Sequence, residues 1–434
     1  MSTQTLQWIL NARLPRALLP ADWPVMAGKP VHAHVQLQGG RIHTLHPCTH
    51  TGLSMHGHVW DVQGCLMLPG FVDAHTHLDK AFTLSRIEHV EPGLLGAIDA
   101  MMKDKPRWTP EDVHARASQG ITWAHEAGVT YLRTHCDWWD PNTTPTAWPV
   151  FQALAQEWKG RVHLEHAALI PLDLFADRSQ AMGLAQQVAQ SGPHALMGGF
   201  VHSTNWDAQA LRNLLEAADS QGLDMDLHVD EELYPDAQGL AHIASMLRDM
   251  NYGGRMVCGH TCALAAKPLD EALRILDAVA QAPITLVTLP ITNLLLQDAR
   301  TGHTPRQRGL TLVKEARARG IPLLVSSDNV QDPFCPIGSF DPLEAFGMGV
   351  AAAQMTHAFD DWSDTLCRSD WLRSDGALPP LSEGAAADFV LLPHSNATAF
   401  PSRNHQRIVI RQGQCTYGQA PAQWLSTISN AIPA

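Results

Sequence analysis

Between residues 70 and 327, short apolar runs return at a nearly constant interval, and that interval constrains the fold more than any other feature. The runs are GFVDAHT (70–76), VTYLRTH (129–135), RVHLEHAAL (161–169), ALMGGFVH (195–202), LDMDLHV (223–229), RMVCGH (255–260), ITLVTLP (284–290) and IPLLVSS (321–327). After the first gap they recur every ~30–40 residues, the length of a βα unit. Helix signals fall between them. Thr109-Pro110 offers an N-cap and an N1 proline before a helix that stops at Gly128. A second helix begins near Thr204 and ends at Gly222, and KEARARG (314–320) closes a third with basic residues and a terminal glycine. Eight such units over roughly 280 residues are the count of a (β/α)8 barrel. An open doubly wound sheet also alternates, but its first βα turn carries a GxGxxG loop that is missing here. The barrel is the expectation.

The two ends differ from the middle. HVQLQGGRIHTL (33–44) reads as a hairpin around Gly39-Gly40, and ADFVLLP (387–393) and RIVIRQGQCTYG (407–418) are further strand-like runs. Both ends are therefore expected to meet in one β-sandwich domain, residues 1–68 with 370–434, beside a barrel at 69–369. Length alone suggests about three domains for 434 residues, but a barrel exceeds that size as one unit. A hydrophobic content of 45% is too high for disorder as the main state. The net charge of −13 argues against a basic nucleic-acid-binding surface. The first 20 residues show no basic n-region or unbroken apolar core, and no run approaches the ~18 apolar residues of a membrane span. Eight scattered cysteines without a CxxC pair read as reduced core thiols, so a cytoplasmic protein is expected. The anomaly is an excess of histidine, 24 in a chain with only 17% charged residues.

In a barrel, functional side chains sit at the C-terminal ends of the strands. The first run ends in His75 and His77, two residues apart and so on one face. The fifth ends in His228, followed by Asp230 and Glu231; the sixth ends at His260 and the eighth at Asp328. Three neutral imidazoles and one carboxylate converging at the mouth form an N3O site for a borderline divalent metal. A single histidine at a strand end means little. Joint placement on strands one, five, six and eight means much more.

These residues carry a resemblance. LPGFVDAHTHLDKAF (68–82) resembles the opening metal motif of the amidohydrolase superfamily, in its cytosine deaminase-like branch. YLRTHCD (131–137), DLHVDEE (226–232), GHTCAL (259–264), LPITNLLLQ (289–297), RQRGLTLVKE (306–315) and SSDNVQDPFCPIG (326–338) follow in the family's order. The resemblance implies one divalent ion per chain, zinc or iron, held by His75, His77, His228 and Asp328. It makes Asp328 also a proton acceptor, Glu231 the proton shuttle to the substrate ring, and His260 a hydrogen-bonding partner of the attacking hydroxide or the developing oxyanion. Asp79 and His135 would orient the ligands from behind. The fourth strand lacks the lysine that bridges two metals in binuclear members, so a single metal is expected. The zinc deaminases with H-x-E and P-C-x-x-C signatures are a different class, absent here. Lys80 would either help order the mouth or stand solvated at it.

The implied activity is hydrolytic deamination of an amino-substituted N-heterocycle. Attack of water on an amidine-like carbon at neutral pH needs hydroxide, which a metal makes available by lowering the pKa of water to ~7. Expelling ammonia needs a delivered proton, which a carboxylic acid such as Glu231 can hold. Cytosine itself fits poorly. Pro171 and Leu172 stand where that family places a pyrimidine-reading glutamine, Asn329 replaces an acid, and Phe334 replaces a tryptophan. A pyrimidine of another pattern, a pterin or a triazine is expected instead. Trp138, Trp139, His202 and Asn293, with Asn329 and Phe334, are the expected substrate contacts. One alternative is cleavage of an N-alkylamino substituent or cyclic amide, as in N-alkylammelide hydrolases. Another is an inactive barrel serving as a binding scaffold, which predicts a damaged ligand position where none is seen. The expected partners are a small N-heterocycle and other copies of the chain, since the family often forms homo-oligomers, with no nucleic acid or membrane.

Overall fold

The computed structural model describes residues 5–373 and 375–433. Eight parallel strands follow one another around a barrel in chain order: Phe71–Thr76, Val129–Asp137, His163–Leu169, Ala195–Val201, Met225–Val229, Met256–His260, Ile284–Thr288 and Leu323–Val325. Every run expected to be a strand is one. The eighth is the shortest because Ser326 and Ser327 leave the ladder, and side chains close the barrel there instead. The amide of Ala74 donates to Ser326 Oγ at 2.9 Å, and Ser327 donates its amide and hydroxyl to the Asp73 carboxylate at 2.9 and 2.6 Å. A backbone bond from Asp328 N to His75 O at 3.0 Å completes the seam.

Two apolar layers hold the barrel. Val72, Ala74, Tyr131, Val257, Val287 and Leu324 come from five different strands and form one buried cluster, so they meet inside the ring. Leu372, from the segment after the barrel, joins that cluster. The opposite faces of the strands pack under the surrounding helices in a much larger core. Those helices start and stop as their sequence dictates. Thr109 caps Pro110–Ala127 by accepting the Asp112 amide, and Gly128 ends it at φ 107°. The helix expected from Thr204 starts later, at Ala208–Ser220, because Asp207 captures the amides of Gln209 and Ala210.

The chain ends form two small sheets. One pairs Leu425–Pro433, Ser54–Asp61, Trp8–Ala12, Ala33–Gln38 and Arg41–Pro47. The other pairs Gln414–Tyr417, Ile408–Arg411, Phe389–Leu392 and Leu66–Pro69. The pairing is antiparallel except between Trp8–Ala12 and Ser54–Asp61. Alternation along Phe389–Leu392 shows how they attach. Phe389 and Leu391 pack into the core shared by the two sheets, whereas Val390 and Leu392 pack into the barrel's helical layer.

Candidate metal centre

Four residues at the C-terminal strand ends bring their donor atoms together. His75 Nε2 and His77 Nε2 each lie 3.1 Å from His228 Nε2. Asp328 Oδ1 is 3.6 Å from His75 Nε2 and 3.3 Å from His77 Nε2. All four side chains are buried. Donors at 2.0–2.1 Å from a tetrahedral ion stand about 3.3–3.4 Å apart, so the spacing fits one.

The electrostatics ask for a cation as well. Burial and the neighbouring rings hold His75, His77 and His228 well below the usual histidine range, which keeps them neutral ligands. Burial, with the nearby Asp332 charge, pushes the Asp328 carboxyl up to about 8. Neither of its oxygens accepts a hydrogen bond. A carboxylate buried without a partner is costly, and a divalent ion at this point supplies the missing charge. Zinc and iron both accept an N3O set.

Backbone reversals aim the remaining groups. Asp230, His260, Thr261 and Asp328 all have positive φ, between 48° and 67°. Such strained positions cluster where surrounding structure over-determines them. At Asp230 the cause is visible: its carboxylate accepts the amides of Gly239 and Leu240, both at 3.0 Å, capping the next helix. The chain therefore turns at residue 230 and delivers Glu231 to the mouth. Burial, reinforced by the Asp328 charge, raises the Glu231 carboxyl well above its ordinary value, which favours its protonated form. Its Oε1 is 3.3 Å from His260 Nδ1. Burial also lowers His260 to about 3. The Asn293 amide donates to His260 Nδ1 at 3.0 Å, which places the histidine proton on Nε2, an atom with no other partner.

Above the cluster lies a cavity, and His77, His228, Glu231 and His260 form one side of it. Trp139, Phe200 and Phe334 supply aromatic walls, and Asn329, Lys80 and Asp137 add polar edges. Of the expected substrate contacts, Trp139, Asn329 and Phe334 line this cavity; Trp138, His202 and Asn293 do not. Trp138 is buried edge-to-face on Trp148 at 5.2 Å, its N–H donating to Asp140 O. Of the two tryptophans only Trp139 faces the mouth. His202 turns aside to accept the Thr204 amide at 3.2 Å, and its Nε2 faces Glu232 at 3.4 Å. Asn293 stands behind His260.

Asp79 accepts the Asp137 amide at 3.0 Å. His135 stacks against His75 with ring centres 4.2 Å apart, and its Nε2 lies 3.5 Å from Asp226. His75, His135 and Asp226 form a second cluster with donor spacing, but Arg133 already holds Asp226 at 2.8 Å. Cys258 and Cys262, which flank His260 in sequence, are buried thiols whose pKa burial raises. Sequence reasoning missed the apolar lid of the cavity: Leu94, Ile98 and Met101 from the helix Leu94–Asp104. Their i, i+4, i+7 spacing was the signal available.

Comparison with known proteins agrees with this geometry. A model of the amidohydrolase family, Amidohydro_3, matches residues 58–142 and 93–417. The chain is 34% identical over 358 residues to a pterin deaminase of Rhizobium rhizogenes, covering 82% of this chain and 81% of the relative. It is 25% identical over 302 residues to the N-isopropylammelide isopropyl amidohydrolase of a Pseudomonas species, covering 65% and 68% of the two chains. The crystal structure of 5-methylcytosine deaminase from Klebsiella pneumoniae shares the fold, with a TM-score of 0.78 at 23% identity over 95% of this chain and 98% of that one. With its barrel, its strand-end histidines and these matches taken together, the chain belongs to the amidohydrolase family.

Proposed function

We propose that the protein is a metal-dependent hydrolase that deaminates an amino-substituted N-heterocycle, of pterin, pyrimidine or triazine type. The observation that carries this reading is the buried set of three imidazoles and an unpartnered carboxylate beneath a cavity flanked by the buried Glu231 carboxyl. The pterin deaminase relative supports the reaction class. His75, His77, His228 and Asp328 would hold one zinc or iron ion. Such an ion supplies Lewis acidity and brings the ionisation of water near neutral pH.

The chain's own residues account for the rest. Asp328, at the edge of the set, takes the proton released as water becomes the nucleophile. Glu231 gives its proton to the ring nitrogen and takes one back from the added hydroxyl as the C=O forms, while the proton held by Asp328 passes to the amine, which leaves as ammonia. His260 offers Nε2–H to the oxygen gaining negative charge. Trp139, Phe200 and Phe334 hold a flat ring and exclude water. Residues 69–369 form the catalytic unit in this proposal, and 1–68 with 370–434 its supporting β-domain.

The test is ammonia release from aminopteridines, aminopyrimidines and aminotriazines. Ammonia from at least one of them, lost on chelation, is the expected result. An N-alkyl cleavage by the same site is the competing outcome, given the isopropylammelide-cleaving relative. A free alkylamine with no ammonia would overturn the deaminase reading in its favour.

A further inference from the structure

Besides the histidines, Glu231 and the Trp139 indole N–H, Lys80, Asp137 and Asn329 are the polar side chains on the cavity wall among the described residues, and none is accounted for by hydrolysis. All three are buried. Lys80 Nζ donates to Asp137 Oδ1 at 2.8 Å and sits 4.9 Å from the centre of the Phe334 ring. The pair is held rigidly, since Asp79 fixes the Asp137 amide at 3.0 Å. Asp137 Oδ2, by contrast, is buried and accepts nothing. Asn329 directs its Nδ2–H to Asp332 Oδ2 at 2.7 Å, so its carbonyl oxygen is the atom it can offer a ligand. Two acceptors thus share this wall with one donor, the buried and unpartnered indole N–H of Trp139. A buried acceptor left unmade is expensive, and a donor arriving with a ligand removes that cost.

We propose that Asp137, held by Lys80, is a specificity-determining residue that accepts a hydrogen bond from a ring N–H of the heterocycle, away from the amino group being hydrolysed. This rests on the deaminase reading for the identity of the ligand. Asn329 supplies a second acceptor on the same wall. A ring that presents N–H at that edge satisfies Asp137. A ring with a bare nitrogen there sets lone pair against lone pair and is rejected. Lys80 is a positioning residue: it neutralises Asp137 and fixes which oxygen stays available.

The experiment uses the metal-loaded full-length enzyme and pairs of aminoheterocycles differing at one ring position, N–H against bare nitrogen. It measures kcat/KM by ammonia release and Kd by calorimetry, for wild type, Asp137→Asn and Asp137→Ser, with metal content and thermal melting as controls. Both variants should lose about 10–100-fold on the N–H member, the range of a hydrogen bond to a charged group. They should change by less than about threefold on the bare-nitrogen member, so the preference collapses or inverts. An equal loss on both members would overturn the proposal, because a merely structural role weakens them alike. Wild-type enzyme that binds the pair but releases no ammonia would count against the deaminase reading alone. The calorimetric preference would still decide the role of Asp137.

Discussion

Glu231 and His260 meet 3.3 Å apart, and burial disfavours the charged form of each, raising the acid and lowering the base. Glu231→Gln keeps the shape and removes the transferable proton. It is expected to lower kcat by about 10²–10⁴-fold, the range for a general acid–base group. Metal content and folding should stay unchanged, which elemental analysis and circular dichroism check. A second residue-scale prediction concerns a glycine without strained φ. A Cβ at Gly259 would fall 2.8 Å from His75 Cε1 and 2.9 Å from its Nδ1. Gly259→Ala must push that ring off its place, and metal affinity should fall about 10–100-fold, as for other losses of ligand support; competition with a chelator measures this. At this scale the strand-end histidines were legible, because strand period and barrel polarity together fix where they point. The aromatic walls were only half legible. Trp138 and Trp139 are equivalent in sequence, and packing against Trp148 decides which one is buried.

The element that sets the site is the seam between the first and eighth strands. Asp73 carries it, accepting from Ser327 twice, and so fixes Asp328 beside His75. Asp73→Ala leaves two buried donors unpaired. It should cost about 2–4 kcal/mol in denaturant unfolding and weaken metal binding in the same variant. A loss of stability with metal affinity intact would separate the seam from the site. The period of the strand–helix units was readable from apolar runs, but the seam was not. IPLLVSS has the composition of a longer strand, and only the pairing of Ser326 and Ser327 with the first strand ends its ladder at Val325. The lid helix escaped for another reason: it lies in the one gap, 77–128, where the repeat is interrupted.

Across the whole molecule, the barrel interior depends on a buried charge network beneath the metal centre. Arg133 joins Glu165 on the third strand to Asp226 on the fifth, at 2.8 Å each, and donates to Leu372 O of the closing segment. Burial alone would raise the Glu165 carboxyl, but Arg133, with bonds from His163 and Tyr131, holds it down to about 2. A depressed carboxylate stabilises the folded state above its unfolded pKa, and that contribution disappears as pH falls through the folded value. Wild type should therefore exceed Glu165→Gln by roughly 3 kcal/mol at pH 7. The gap should narrow between about pH 4.5 and pH 2, which urea titrations at a series of pH values follow. A gap independent of pH would contradict the network. The histidine excess that first drew attention divides on this scale. Five sit at or beside the candidate metal centre, while others such as His166, packed edge-to-face on Trp148 at 4.5 Å, fill the core. Composition cannot separate the two kinds; convergence of several donor atoms on one point can.

The central claim is that the buried cluster of His75, His77, His228 and Asp328 holds one divalent ion on which hydrolysis depends. The direct measurement follows ammonia release and metal content in the same sample, through chelation and reconstitution. About one zinc or iron per chain is predicted, with turnover falling and returning in step with it and absent throughout in Asp328→Asn. Full ammonia release from metal-free protein, or from Asp328→Asn, would contradict it.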